Sequence, residues 1–206
     1  MTPACPAHGA SMKFAFADPP YLGCGQKHYG DLHARAGDCD DPAWHQALID
    51  RLCDEYDGWA LCLHEPSLRT ILNMCPEDVR VGAWVKPFAS FKPNVTRAWA
   101  WEPVILRGGR PIPRTQNTVR DWIEAPAIAE GITLKRGFTG AKPNTVSWWV
   151  FDWLNIQLED EFVDMFPGSG AVQAAYEAWL ENKTGECTIG LFGDNGHGAS
   201  MRGRGI

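Results

Sequence analysis

Two short stretches of this 206-residue chain gather residue types that can do chemistry. The first is Asp18-Pro19-Pro20-Tyr21, which follows the strand-like run "KFAFA" (13–17). Proline lacks a backbone N–H, so a strand that runs into two prolines cannot continue its ladder. The chain then presents a carboxylate, rigid carbonyls and a phenol ring at one fixed spot. The second is Asp164-Met165-Phe166-Pro167-Gly168-Ser169-Gly170, again a strand-like run ending in an acid, then a glycine turn, then a helical pattern. Glycines there let the backbone turn sharply and let a ligand approach the main chain closely. Phosphate is one candidate guest, but the Lys-Ser/Thr pair of a P-loop does not follow Gly170, and the G-x-G-x-x-G spacing is not met. An acid at the strand end suits a ligand with a cationic amine better. Each stretch also has a plain structural reading, as an edge-strand stop and as a strand-to-helix turn.

The elements that must position these residues alternate in type. Strand-like runs are "KFAFA", "GWALCLH" (58–64), "VRVGAWV" (79–85), "TRAWAWEPVIL" (96–106), "DEFVDMF" (160–166) and "CTIGLF" (187–192). Helical spacing appears at 41–56, with Trp44, Leu48, Leu52 and Tyr56 on one face and Asp41 placed to cap it. Residues 67–75, 145–157 and 171–183 are the other helices expected, the last stopping near Gly185. Strands alternating with helices predict an α/β fold with a mostly parallel sheet. Two stretches break the rhythm. Residues 107–144, rich in glycine, proline and basic side chains, read as a long functional insertion with at most one short helix. Residues 193–206 read as a disordered Gly-rich tail. The rest, 1–192, reads as one domain.

Composition narrows the setting. Apolar residues make up 45% and charged residues 21%, as in ordinary globular proteins. No apolar run approaches the roughly 20 residues of a membrane helix. The N-terminus lacks a basic-then-apolar signal pattern, so a cytoplasmic location is expected. Seven cysteines, an odd count at irregular spacing, point to reduced thiols. Cys24, His28, His33, Cys39 and His45 are zinc-preferring types, yet no C-x-x-C pairing organises them, and no metal site is expected. Net charge is −6, but residues 80–142 carry eleven Lys/Arg against four acids, a local +7. That basic middle is a candidate phosphate-facing surface, with Arg107, Arg110, Arg114, Arg120, Lys135 and Arg136 as its candidate contacts. Lys86 and Glu102 are expected to pair structurally on adjacent strands. Trp148 and Trp149 cannot both face inward on one helix, so one is expected in the core and the other beside a pocket.

Taken together, the two motifs resemble those of the S-adenosylmethionine-dependent amino-methyltransferases of DNA. Their catalytic motif is D/N/S-P-P-Y/F/W, and their cofactor motif is commonly D-x-F-x-G-S-G. Here the catalytic motif comes first and the cofactor motif about 145 residues later, which resembles the permuted β group. The likeness spans residues 13 to 192 and includes "GAWVKPF", "WAWEPVIL" and the lysine-proline segment "GAKPNTVSWWVFDWL". It implies a doubly wound Rossmann-like methyltransferase fold, with 107–141 as a short target-recognition segment. It implies methyl transfer to adenine N6 in DNA with the base flipped out, in a compact, phage-like member of the family. The catalytic residues implied are Asp18, Pro19, Pro20 and Tyr21. The residues implied for the cofactor are Asp164, Phe166, Pro167, Gly168, Ser169 and Gly170, with Lys142 and Pro143 nearby.

In that reading Asp18 and the Pro19 carbonyl each accept an N–H of the exocyclic amine. This localises its lone pair, and the Asp18 anion stabilises the charge that develops on nitrogen. Tyr21 would stack on the base. An aspartate opening the motif is more typical of adenine N6 than of cytosine N4. RNA adenine, cytosine N4 and a non-catalytic nucleic-acid-binding protein stay open as alternatives. The chain departs from the family near Phe192, where an acid for the cofactor ribose is usual.

Overall fold

A computed structural model describes residues 10–31, 34–87, 96–126 and 142–192, with the backbone alone over 186–192. Among the described residues six strands form one sheet: β1 (Lys13–Ala17), β2 (Gly58–Cys62), β3 (Arg80–Val85), β4 (Trp101–Gly108), β5 (Trp122–Glu124) and β6 (Glu161–Asp164). Their order across the sheet is β5-β3-β4-β2-β1-β6. Three of the five pairings are parallel, and β4 alone runs against the rest. The fold is therefore α/β with a mostly parallel, mixed sheet.

Helices cover both faces, as the crossovers of parallel strands require. On one side α2 (Pro42–Glu55) packs Leu48, Ile49 and Leu52 with Ala15, Trp59, Leu61 and Ile105, joined by Ile71 of α3 (Leu68–Leu72). The Asp41 side chain accepts from the Ala43 N–H and Pro42 fills the first turn, so this helix starts where its sequence says. On the other side α4 (Asn144–Leu154) and α5 (Ala171–Phe192) pack Val146, Trp149, Phe151, Tyr176 and Trp179 against Phe14, Phe16 and Val104. Alternation along β1 divides its residues accordingly, Phe14 and Phe16 to one face and Ala15 and Ala17 to the other. Gly82 of β3 leaves room for Trp149: a Cβ there would lie 2.8 Å from the indole ring. A short helix, α1 (Gly25–Tyr29), follows the first motif. Among the described residues no helix is long and apolar enough to cross a membrane.

Two expectations are corrected. "CTIGLF" does not form a strand; α5 runs on through Gly185 to Phe192. Extending a helix already nucleated adds one bond per residue, whereas a strand needs a neighbour to pair with. The segment 107–144 is not structureless where it is described. Its first two residues finish β4, and Trp122–Glu124 pairs in parallel with β3 as β5. Residues 127–141 and the tail 193–206 lie outside the described residues.

Candidate active site

Five strand ends converge on the two motifs. β1 and β6 are parallel neighbours, with Phe16 opposite Asp164, so Asp18 and the Asp164 turn emerge at the same end of the sheet. This is the carboxyl end of parallel strands, where open α/β sheets bind ligands. β2 delivers Cys62 and His64 there, β3 delivers Trp84 and Lys86, and the antiparallel β4 begins there with Glu102.

A buried charge network fills this end. The Lys142 ammonium, 3% exposed, donates to both oxygens of Asp18 at 2.7 Å and to the Tyr21 hydroxyl at 3.1 Å. The Tyr21 hydroxyl in turn donates to Glu102 Oε2 at 2.7 Å, and Lys86 Nζ donates to Glu102 Oε1. Two carboxylates thus face two ammonium groups, which offsets the cost of withdrawing each from water. Burial pushes the Asp18 carboxyl up, and the Lys142 charge works against that rise. Burial disfavours the Lys142 ammonium, but Asp18, Cys62 and Glu102 outweigh it and hold its pKa above the usual lysine range. Burial would raise Glu102 as well; Lys142 and Lys86 bring it below the ordinary glutamate value instead.

Tyr21 is held from several sides. Its ring stacks on His64, centroids 5.4 Å apart and 20° between planes, so one face is already covered within the protein. The expectation that Tyr21 offers its ring to a base therefore applies to the other face alone. His64 is itself fixed, its Nδ1 2.8 Å from Ser67 Oγ, and burial lowers its pKa toward the neutral imidazole. The Lys142 nitrogen lies 5.6 Å from the Tyr21 centroid but 3.1 Å from its hydroxyl, which puts it off the ring edge and not over the face.

The second motif forms a tight turn into α5. Asp164 Oδ1 accepts the Phe166 N–H at 3.2 Å, and Gly168 and Gly170 adopt φ of +43° and +79°. A Cβ on Gly170 would meet nothing within 4 Å, so space above the turn is open. Asp164 Oδ2 is buried without a hydrogen-bond partner, and burial raises its pKa. An orphaned carboxylate oxygen is chemically suited to a cationic amine. The Phe166 ring turns instead toward Trp44 of α2, 5.9 Å away, so its N–H serves the turn while its ring serves the core. Pro167, Gly168 and Ser169 are exposed. Pro143 is buried and precedes α4 with extended backbone.

Several sequence expectations shift. Lys142, expected beside the cofactor turn, spends its donors on Asp18 and Tyr21. Lys86 and Glu102 do pair, but Glu102 also holds Tyr21 and so belongs to the site. Of the tryptophans, Trp149 is buried and donates to the Arg120 carbonyl. Trp148 donates to the Ala175 carbonyl of α5, which makes it a helix–helix contact.

The basic group divides. Arg110 is buried against Asp160, 2.5 Å away, and Arg107 pairs with Asp78 at 2.8 Å. Arg107 lies in the stretch of β4 paired with the start of β2 and Arg110 just past it, at the opposite end of the sheet from Asp18. Neither suits the phosphate contact expected of it. Arg114 and Arg120 are exposed, the latter 5.4 Å over the Trp122 ring; Lys135 and Arg136 lie outside the described residues. Of the suggested zinc ligands, His45 is bound to the Cys39 carbonyl at 2.9 Å, and Cys24 Sγ lies 3.8 Å from His64. No group of metal-ligating side chains stands together among the described residues.

His64, Cys62 and Trp84 join the site without having been singled out. The signal for His64 was its place as the polar last residue of the strand-like run "GWALCLH". An acid in the otherwise apolar "WAWEPVIL" was the signal for Glu102. A cavity of about 510 Å³ bordered by Ile112, Asn155, Gln157 and Trp179 shares no residue with this cluster. No protein-family model matches the chain, and no curated protein matches it either.

Proposed function

We propose that the protein transfers a methyl group from S-adenosylmethionine to the exocyclic N6 of adenine in DNA. The observation that carries this reading is the pairing of β1 with β6 in parallel, which sets Asp18-Pro19-Pro20-Tyr21 beside the Asp164–Gly170 turn. Motifs far apart in the chain then meet at one end of the sheet, as two halves of a transfer reaction must.

The residues present fit the cofactor. The unpartnered Asp164 oxygen suits its amine, and the open turn at Gly168 and Gly170 allows close backbone approach. When bound, S-adenosylmethionine supplies a methyl group activated by a sulfonium charge. The chain's own task is to orient the amine. Asp18 accepts one N–H and the Pro19 carbonyl the other, which turns the nitrogen lone pair toward the methyl. The buried carboxylate then stabilises the positive charge that grows on nitrogen, more strongly than water would. A base must leave its stack to reach so enclosed a carboxylate. The exposed Arg114 and Arg120, together with Trp99, 56% exposed and hydrogen-bonded to Glu65 beside His64, support a nucleic-acid partner.

The deciding experiment incubates the protein and Asp18→Ala with methyl-labelled S-adenosylmethionine and unmodified double-stranded DNA, followed by digestion to nucleosides. Label in N6-methyladenine that the variant loses is the expected result. Cofactor binding without transfer to DNA redirects the reading to RNA or cytosine. No cofactor binding overturns it in favour of a binding protein.

A further inference from the structure

We propose that Lys142 is the residue that positions the base, by donating a hydrogen bond to the ring nitrogen adjacent to the amine that Asp18 accepts. The inference rests on the adenine reading above and adds to it the second half of base recognition.

It follows from counting donors and acceptors. A lysine ammonium has three N–H groups, and here they meet Asp18 Oδ1, Asp18 Oδ2 and the Tyr21 hydroxyl. An amine that binds Asp18 competes with two of those three bonds. Among the described residues Lys142 bonds no acceptor other than Asp18 and the Tyr21 hydroxyl. Glu102 already accepts from Tyr21 through one oxygen and from Lys86 through the other. A buried ammonium left with an unused N–H is costly, so a new acceptor has to arrive with the ligand.

An aminated base brings that acceptor. In adenine the amine and a ring nitrogen sit on the same carbon, a donor beside an acceptor on the Watson–Crick edge. Asp18 and Lys142 present the complement, an acceptor and a donor 2.7 Å apart. Among the described residues Lys142 is the ammonium bonded to Asp18, whereas the Tyr21 hydroxyl hydrogen goes to Glu102 and Lys86 bonds Glu102 and not Asp18. The neighbouring charges keep Lys142 protonated, so its donors persist across the working pH range. Lys142 thus acts as a positioning residue that holds the carboxylate until the base replaces it.

The test compares oligonucleotides carrying adenine or 1-deazaadenine at the methylated position. The analogue keeps the amine and replaces the ring nitrogen by C–H. For the wild type we expect a KM or Kd about 10- to 100-fold weaker on the analogue, the range for one charged hydrogen bond. In Lys142→Met the two oligonucleotides should bind within about twofold of each other, while Lys142→Gln, which keeps an N–H donor, should recover part of the preference. A purely structural lysine would weaken both substrates equally and leave the ratio unchanged. That ratio is also read by direct binding, so it is obtained whether or not methyl moves. Equal wild-type affinity for both, or an undiminished preference in Lys142→Met, overturns the proposal. If Lys142→Met does not fold, the wild-type ratio and the glutamine variant decide alone. Absence of transfer to adenine by the wild type, with the binding preference intact, would instead count against the methyl-transfer reading.

Discussion

Phe16 of β1 lies directly opposite Asp164 of the parallel neighbour β6, and two residues past Phe16, just beyond the end of β1, Asp18 takes up its bonds with Lys142. The two acids therefore end adjacent strands on the same side of the sheet. Each carries a different demand. Lys142 bonds both oxygens of Asp18, whereas one oxygen of Asp164 is buried without a partner.

Under the proposed function, Asp18→Asn should abolish methyl transfer while keeping the shape of the side chain. Loss of the anion removes the electrostatic stabilisation of the transition state, and a fall of at least about 10³-fold in kcat is expected. It also leaves the buried Lys142 ammonium without the carboxylate bonded to it, with only Glu102 as a nearby counter-charge, at a cost of roughly 3 kcal/mol. Thermal melting alongside the activity assay separates the two effects; unchanged stability would mean that the pair does not persist in solution.

Asp164→Asn should do the reverse. Its carboxyl pKa is raised by burial in the folded state, so the folded protein favours the protonated form. The ionised side chain then costs stability at neutral pH, and wild type regains it as pH falls through the folded value toward the ordinary 3.8. The amide should stabilise the protein at pH 7 and give no advantage below pH 4. Cofactor affinity should fall about tenfold or more, since a neutral amide attracts a cationic amine less. Calorimetric titration with S-adenosylmethionine checks the affinity, and melting curves across pH check the sign.

Arginine substitutions should split into two kinds. Asp160 accepts from the Met12 and Gln157 N–H groups as well as from Arg110, all inside the protein. Arg110→Ala should therefore cost about 3 kcal/mol of stability and leave the salt dependence of nucleic-acid binding unaltered. Arg114→Ala and Arg120→Ala should leave stability within about 0.5 kcal/mol. If they touch phosphates, each should reduce the slope of log K against log salt by about one. Denaturation and binding over a salt series measure both.

Gly82→Ala should destabilise by about 1–3 kcal/mol, because the new methyl meets the Trp149 ring within a packed core. Pairing it with Trp149→Leu, which shortens the ring, should recover part of the loss. An additive double variant in equilibrium unfolding would mean that the two do not touch.

Much of this architecture is legible in the chain because its signals are local. Proline pairs end β1, Asp41-Pro42 opens α2, and apolar runs mark five of the six strands. What escapes depends on partners distant in sequence. β5 is three residues long and exists through its pairing with β3, which no pattern in "DWIEA" announces. "CTIGLF" has strand-forming residues, but the helix before it continues without needing a partner. Arg110 looks like any surface arginine until Asp160 is placed beside it. The same holds within the site. Asp18, Tyr21 and the Asp164 turn can be picked out by motif, whereas the Lys142–Asp18 bond and the Tyr21–Glu102 bond come from the sheet order.

The pairing of β1 with β6 also sets a sequence of events in time. It closes a loop of about 145 residues, at an entropic cost of roughly 4 kcal/mol before any contact rewards it. The β3–β4 pairing closes a much shorter loop, so it can form early, and the β1–β6 contact belongs among the last. A nascent chain released only as far as α4 already carries Asp18 and Lys142 and still lacks the Asp164 turn. It can shelter a charge pair but not assemble the crevice. Any ligand that bridges the two strands would then act as a clasp on the slowest joint of the fold, and its presence during refolding should hasten arrival at the native state.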